Sequence, residues 1–302
     1  MHFWALDPYR TWAEAAIKAA QARGWQAKQI LRGEDAGDEG YGFIRLSMYP
    51  SILAQNRRDY DAMAARLTMI QDRGQIEVYE NKSEQFRRWG AWMPDTWRFE
   101  NEAEALAFVA GAEYPLVSKA DVGASSVNVR ILANRREAER HVTQAFGAGF
   151  YLQKSQVQRG YVLLQRFIPH RITYRVNALG DARAVFFRYC YPDRPVAQTG
   201  NVEPAFEMTD EVESLIDFAD RFFAHAGTKW CAIDVLKDGD GWKLLETSEG
   251  WPWPSPGKCN EGTIFRSKGR KWIEMFDVMC DEIERGAWSG SSAPVVSFST
   301  ST

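Results

Sequence analysis

The stretch CAIDVLKDGDGWKLLETSEGWPW, residues 231–253, decides how the rest of the chain is read. Two apolar runs flank a Gly-Asp-Gly turn, the signature of a β-hairpin, and each arm carries an acid. If Gly239-Asp240-Gly241 forms a three-residue loop with Gly241 in the left-handed region, Asp238 pairs with Trp242. Counting back then sets Asp234 directly opposite Glu246. Like charges facing each other on a sheet, with Cβ atoms about 5 Å apart, are destabilising unless something neutralises them. A divalent cation such as Mg2+, held by one or two carboxylates and by phosphate oxygens, is the economical candidate. Alternation puts Ser248 on the face of Glu246 and turns Glu249 away unless the strand bends. A two-residue loop is the alternative; it puts the acids on opposite faces of an exposed hairpin.

A phosphate-bearing ligand needs cations and backbone donors, and both lie upstream. Lys119 ends a strand directly before ADVGASSVN (120–128), whose small residues let successive N–H groups curl around phosphate oxygens. Lys82 follows Asn81 at the start of a predicted helix, where the dipole favours an anion. The bland readings are a solvated lysine and an ordinary turn. Because strands bracket the Gly/Ser loop, it is not a P-loop, and no GxGxxG or GxxxxGK[ST] occurs.

Around this centre the chain divides by pattern. HFWALD (2–7), TWAEAAIKAAQARGW (11–25), QAKQIL (26–31) and GYGFIRLSMYP (40–50) read as strand, helix, strand, strand, and NRRDYDAMAARLTMIQDRG (56–74) as a helix closing at Gly74. That predicts a small α/β domain with a parallel sheet. A connector follows, with a helix capped near Asn81, an extended Met93-Pro94 and a helix from Asn101. Next come a strand pair around the Gly/Ser loop, a helix capped at Asn134, and strands in 161–170 and 172–191 that turn at Gly180-Asp181. Thr209 caps a helix with Val212, Leu215, Ile216, Ala219, Phe222 and Phe223 on one face. The hairpin and a last amphipathic helix, KWIEMFDVMCDEIERG (271–286), precede SGSSAPVVSFSTST (289–302), which reads as a disordered tail.

Composition narrows the class. With 45% apolar and 25% charged residues the chain is globular, and no run approaches the roughly 18 apolar residues of a membrane helix. The N-terminus lacks a signal-peptide layout, so a cytoplasmic protein is expected. Four scattered cysteines without CxxC spacing suggest neither zinc nor disulfides. A net charge of -3 argues against general nucleic-acid binding. The basic FRSKGRKW (265–272) is the local exception, and its blander reading is a solvated helix start.

In this order the motifs resemble the ATP-grasp family of carboxylate ligases over roughly residues 75–288. YPLVSKADVGASSVNV (114–129) is similar to the phosphate-loop strand pair of D-alanyl-D-alanine ligase. VLLQRFIPHRITYRVNALGDARAVFFR (162–188) is closer to the glutamate ligases that extend peptide tails, and the hairpin resembles the family's metal-binding hairpin. The resemblance implies two α+β lobes clasping ATP behind the α/β domain. Its divisions would be 1–78 (α/β domain), 79–112 (helical connector), 113–165 (small lobe), 166–288 (large lobe) and 289–302 (tail).

It also implies roles. Lys82 and Lys119 would contact the α- and β-phosphates of ATP, with Gly123, Ser125 and Ser126 in a loop closing over them. Gln165, Arg166, Phe167 and Ile168 would form the adenine-binding hinge, Gln165 replacing a more frequent glutamate. The acid that contacts ribose has no counterpart in PHRITYR (169–175). Arg175 and Arg188 would lie against the carboxylate or acyl phosphate, as suits a planar guanidinium; the alternative is a pair of solvent-facing arginines. Asn201 would sit near the transferring phosphate.

Asp234, Glu246 and Ser248 would hold one or two Mg2+, for which Mn2+ can substitute. The family's Glu-x-Asn is here Glu246-Thr247-Ser248, so a second metal would be held weakly, through water, or by Glu249. Trp251 and Trp253 would offer an aromatic platform to the acceptor, or else Pro-fixed packing, and Arg45 would bind a substrate carboxylate. The implied activity is ATP-dependent joining of a carboxylate to an amine, on small molecules or on a peptide or modified nucleotide, with no membrane partner. A nucleotide-binding partner protein with weakened catalysis, or a phosphotransferase that does not ligate, are the competing readings.

Overall fold

The computed structural model describes residues 1–7, 12–47, 49–123, 128–152, 156–192, 194–205, 207–249, 263–266, 269–272 and 275–288. The opening domain is β1 (His2–Leu6), α1 (Trp12–Gln21), β2 (Gln26–Ile30), β3 (Tyr41–Ile44), α2 (Pro50–Ala64), β4 (Thr68–Met69) and α3 (Arg73–Val78). Its sheet is parallel throughout, in the order β2-β1-β3-β4. The helix expected to run to Gly74 stops at Ala64 instead. Thr68 and Ile70 donate their N–H groups to Gly40 and Gly42, so the sheet edge captures backbone that the helix would otherwise use. A two-residue strand is too short to show any periodicity.

The chain continues through α4 (Lys82–Trp89), β5 (Thr96–Phe99), α5 (Glu102–Gly111), β6 (Leu116–Lys119), β7 (Val129–Leu132), α6 (Arg135–Phe146), β8 (Phe150–Tyr151), β9 (Val157–Gln158) and β10 (Val162–Arg166). Asn81, Asn101 and Asn134 each accept the N–H of a glutamate three residues on, so the polar caps seen in the sequence start α4, α5 and α6. Strands β5-β10-β6-β7 form an antiparallel sheet. Residues 96–111, read as connector, thus belong to the small lobe, where β5 pairs with β10.

The large lobe holds β11 (Ile172–Leu179), β12 (Ala182–Tyr191), β13 (Arg194–Pro204), α7 (Asp210–Ala226), β14 (Trp230–Asp238), β15 (Gly241–Ser248), β16 (Thr263–Arg266), β17 (Gly269–Trp272) and α8 (Met275–Glu284). Its sheet runs β15-β14-β11-β12-β16-β17, with β13 also pairing β12. β13 carries no clear alternation and was not expected. Of FRSKGRKW, residues 265–266 and 269–272 lie in β16 and β17 and not at a helix start, because β16 is drawn onto β12 through Arg183 and Ala184.

One apolar core lies between α7 and the large sheet. Another joins the large lobe to the opening domain: Phe43 meets Trp230 and Phe276 edge-on, at 5.6 and 5.8 Å between ring centroids. The small lobe has a core of its own around Leu164, Val142 and Val109. No helix among the described residues is long and apolar enough to cross a membrane.

Candidate active site

The hairpin reaches its expected pairing by an unexpected route. Asp238 pairs with Gly241, so the loop has two residues and not three, and it is Gly239, at φ +59°, that takes the left-handed conformation. Alone, that loop would put Asp234 and Glu246 on opposite faces. The register shifts between Asp234 and Val235, however: Val235 faces Leu244, Asp234 faces Glu246, and Leu245 is the extra residue of a β-bulge. The bulge restores the parity that the turn removes. It also frees the Leu245 carbonyl, which accepts a 3.1 Å hydrogen bond from Lys119 Nζ across the lobes.

A row of charges crosses four strands here. Register sets Arg175 opposite Asp234, and Arg188 opposite Thr173, two residues along the same face. Arg175 binds Asp234 through Nε (2.6 Å) and Nη2 (2.8 Å), and Arg188 adds Nη1 at 2.6 Å. Burial pushes the Asp234 carboxyl up, but the two guanidinia outweigh it and hold the group well below the usual carboxylate range. Beside it, Glu246 Oε2 lies 3.3 Å from Lys82 Nζ, which also donates to Gly123 O at 3.3 Å. Burial pulls the Lys82 ammonium down, while the Glu246 and Glu80 carboxylates outweigh that and raise it. The facing acids are therefore neutralised by the chain's own cations, and their opposition alone does not require a metal. The reading of Arg175 and Arg188 as solvent-facing is also overturned.

Lys119 differs from the other cations. It is buried, and among the described residues no carboxylate lies within ion-pair distance of it; burial lowers its ammonium to about 8, with Glu246 opposing. Glu249 turns away, as alternation requires. It accepts the Leu46 N–H (3.0 and 3.2 Å) and Gln71 Nε2 (3.3 Å), and burial pushes its carboxyl up to about 7 against the pull of Arg45. With both oxygens engaged in the opening domain, Glu249 does not replace the missing asparagine.

These groups line one cavity of about 300 Å³ between the small lobe, the large lobe and the opening domain. Gln165, Phe167 and Ile168 line it at the junction of the lobes, Gln165 being fixed by a 2.8 Å bond to Thr96 Oγ1. Arg166 also lines it, but its guanidinium ties the junction to the hairpin through Asp95 (3.1 Å) and Asp238 (2.6 Å). Arg45 lines the cavity from the opening domain. Ser125, Ser126, Trp251 and Trp253 lie outside the described residues. Of Asn201 only the backbone is described; it stands in β13 next to Val202, the partner of Arg188.

No protein-family model matches the sequence, and no curated protein does. Solved structures do match. A RimK domain ATP-grasp protein from Sphaerobacter thermophilus superposes with a TM-score of 0.59 at 17% identity, over 94% of this chain and 100% of that one. The ATP-grasp ligase PsnB, with a phosphomimetic variant of its minimal precursor, Mg and ADP, gives 0.61 at 14% identity over 94% and 98%. D-alanine–D-alanine ligase from Bacillus anthracis gives 0.54 at 10% identity over 95% and 97%. The chain has the ATP-grasp fold.

Two residues of this cavity were not anticipated. Gln85 on α4 accepts the Thr247 N–H (2.9 Å) and donates to the Thr247 and Val78 carbonyls (3.1 and 3.2 Å), so it clamps the backbone between Glu246 and Ser248. A glutamine within a helix gives no local signal of this. Glu80 sits at φ +52°, a costly backbone for glutamate, and accepts the Gly123 N–H at 2.8 Å. Its one sequence cue is its place just before the Asn81 cap.

The residues of the ATP-grasp hairpin fit a hard cation in part. Ser248 Oγ is buried with no hydrogen-bond partner among the described residues, and Glu246 keeps oxygen free beside Lys82. Asp234 accepts three hydrogen bonds, leaving about one of a carboxylate's four acceptor sites. Among the described residues no group of three or more His, Cys, Asp or Glu stands ready for a metal.

Proposed function

We propose that this ATP-grasp chain is an ATP-dependent ligase that activates a carboxylate as an acyl phosphate and joins it to an amine. Lys119 carries the reading. A buried ammonium on a cavity wall, with a carbonyl but, among the described residues, no carboxylate for a partner, is an electrostatic vacancy that a phosphate fills. The fold shared with PsnB, an ATP-grasp ligase solved with Mg and ADP, supports the same assignment.

In this reading Lys119 and Lys82 hold the α- and β-phosphates, and the N–H groups after Lys119 fold over them. Gln165 to Ile168 receive the adenine. Glu246 and Ser248 would hold magnesium, with Asp234 sharing its remaining lone pair; bound magnesium supplies neutralisation of phosphate charge. A substrate carboxylate oxygen bonds to the γ-phosphorus as the bond to the ADP oxygen breaks. The amine nitrogen then attacks the acyl carbon, phosphate leaves with the bonding electrons, and the amine gives up a proton. Arg175 and Arg188 stabilise the developing charge. Positioning and electrostatics provide the rate, so no Ser-His or Cys-His pair is needed. The three cysteines among the described residues are free and buried, which suits a reducing cytoplasm.

The test is incubation with Mg-ATP and a mixed pool of acids and amines, following ADP, phosphate and amide. Equimolar ADP and phosphate with an amide is the expected result. Lys119→Met should weaken ATP binding by about ten- to a hundredfold, the worth of a charge-assisted hydrogen bond. No ATP binding at millimolar concentration overturns the proposal, and a phosphorylated product without amide replaces ligation by phosphotransfer.

A further inference from the structure

Arg45 lines the cavity from the opening domain, and its surroundings are those of a binding group held ready. It follows β3, its backbone N–H bonded to Leu6 O at 2.8 Å. Its guanidinium lies over the Trp12 ring, 3.8 Å from the centroid, which fixes the plane of the fork without using its donors. Among the described residues its acidic partner is Glu249, at the long end of an ion pair: Nη1 is 3.8 Å from Oε2, and that carboxylate also accepts from Leu46 and Gln71. Arg45 Nε is buried and has no hydrogen-bond partner among the described residues. Leaving such donors unpaired costs free energy, which a ligand that accepts from them recovers. The adjoining Ser248 and Thr247 hydroxyls are likewise buried without partners, and both line the cavity.

Spacing indicates what fits. Lys119 touches Leu245 and Arg45 touches Glu249, four residues further on. At about 3.3 Å per extended residue the backbone between these two contacts spans at most about 13 Å. That span takes terminal phosphates and a short carbon chain, with a second anion at the far end.

We propose that Arg45, with the Ser248 hydroxyl, is a subsite for a carboxylate that does not react. One of the two joined molecules is then a short dicarboxylate or an amino acid, not a simple monoacid or amine. The inference rests on the ligase reading for its chemistry but not for its binding geometry.

The experiment compares the full-length chain with Arg45→Met and Arg45→Lys. Acid-dependent ADP release is measured with glutarate against butyrate, and amine-dependent phosphate release with amino acids against their amides. Calorimetry of the same compounds, in the presence of a non-hydrolysable ATP analogue, reads binding directly. We expect Arg45→Met to raise the KM or Kd of the carboxylate-bearing member of one pair by roughly ten- to a hundredfold, leave its neutral analogue unmoved, and be partly rescued by lysine. The first pair responding assigns the carboxylate to the acid substrate, the second to the amine. Equal effects on charged and neutral analogues, no effect on either, or no binding of any compound to the native chain overturns the subsite. Arg45-dependent binding without ADP release keeps the subsite and overturns the ligase reading instead.

Discussion

Gln85 grips Thr247 by both backbone groups, accepting its N–H at 2.9 Å and donating to its carbonyl at 3.1 Å. Through this one side chain, α4, which carries Lys82, is fixed to the strand that carries Glu246 and Ser248. Gln85→Leu leaves two buried backbone groups unpaired and should cost about 2–5 kcal/mol in urea unfolding. Gln85→Glu keeps the acceptor but sets a carboxylate against two carbonyls. Both variants should weaken magnesium-dependent nucleotide binding more than binding without the metal, as read by calorimetry.

The Asp234 cluster predicts an order among arginine variants. Arg175 makes two of the three bonds and Arg188 one. Arg175→Met should therefore destabilise by about 3–5 kcal/mol, as for a buried pair broken on one side. Arg188→Met should cost less, about 1.5–3 kcal/mol. Since the folded carboxyl is depressed from its ordinary 3.8, its contribution is present above that pH and lost as pH falls below it. The gap between native and Arg175→Met unfolding free energies should therefore narrow below about pH 4.

Nucleotide affinity should bend near pH 8. The free protein's Lys119 ammonium, lowered to about 8 by burial, is charged below that pH and neutral above it. ATP affinity measured from pH 6.5 to 9.5 should hold steady and then decline by up to about tenfold per unit. Lys119→Arg should abolish the bend, because a guanidinium stays charged throughout.

His141 gives the small lobe an acid sensitivity. Its Nε2 lies 2.6 Å from Ser118 Oγ, its ring stacks on Phe150 at 4.4 Å, and burial, aided by Arg130, lowers it from 6.5 to about 4. Between those values the unfolded chain binds more protons than the folded one, so stability declines as pH falls from 6.5 to 4 and levels off below. The total should be on the order of 3 kcal/mol, and His141→Gln should lack this slope in thermal melts at stepped pH.

The helices were the most legible part of the chain. Asn81, Asn101, Asn134 and Thr209 each cap the helix that follows, because a cap is a local bond between near neighbours. The facing of Asp234 and Glu246 was also expected, yet the expected loop was wrong and a bulge at Leu245 made up the difference. The carbonyl at this bulge is bonded across the lobes, by Lys119, and that partner leaves no trace in the strand's own pattern. Gln85 escaped notice for the same reason, since its partner is 162 residues away. The facing of the two acids was read as one sign of an outside cation; Arg175 and Lys82 supply countercharge from another strand and a helix, which hairpin register cannot reveal.

The aromatic contact of Phe43 with Trp230 and Phe276 has a mechanical consequence. It welds the opening domain to the large lobe, whereas the small lobe keeps a separate core and is joined by the chain at residues 93–95 and 167–171. Displacement is cheapest where no common core is torn. The small lobe is thus the unit that displaces at the least cost. When it swings, the Lys119–Leu245 bond parts, while Arg45 and Glu249 stay together on the fixed block, so one end of the cavity changes shape and the other keeps its mould.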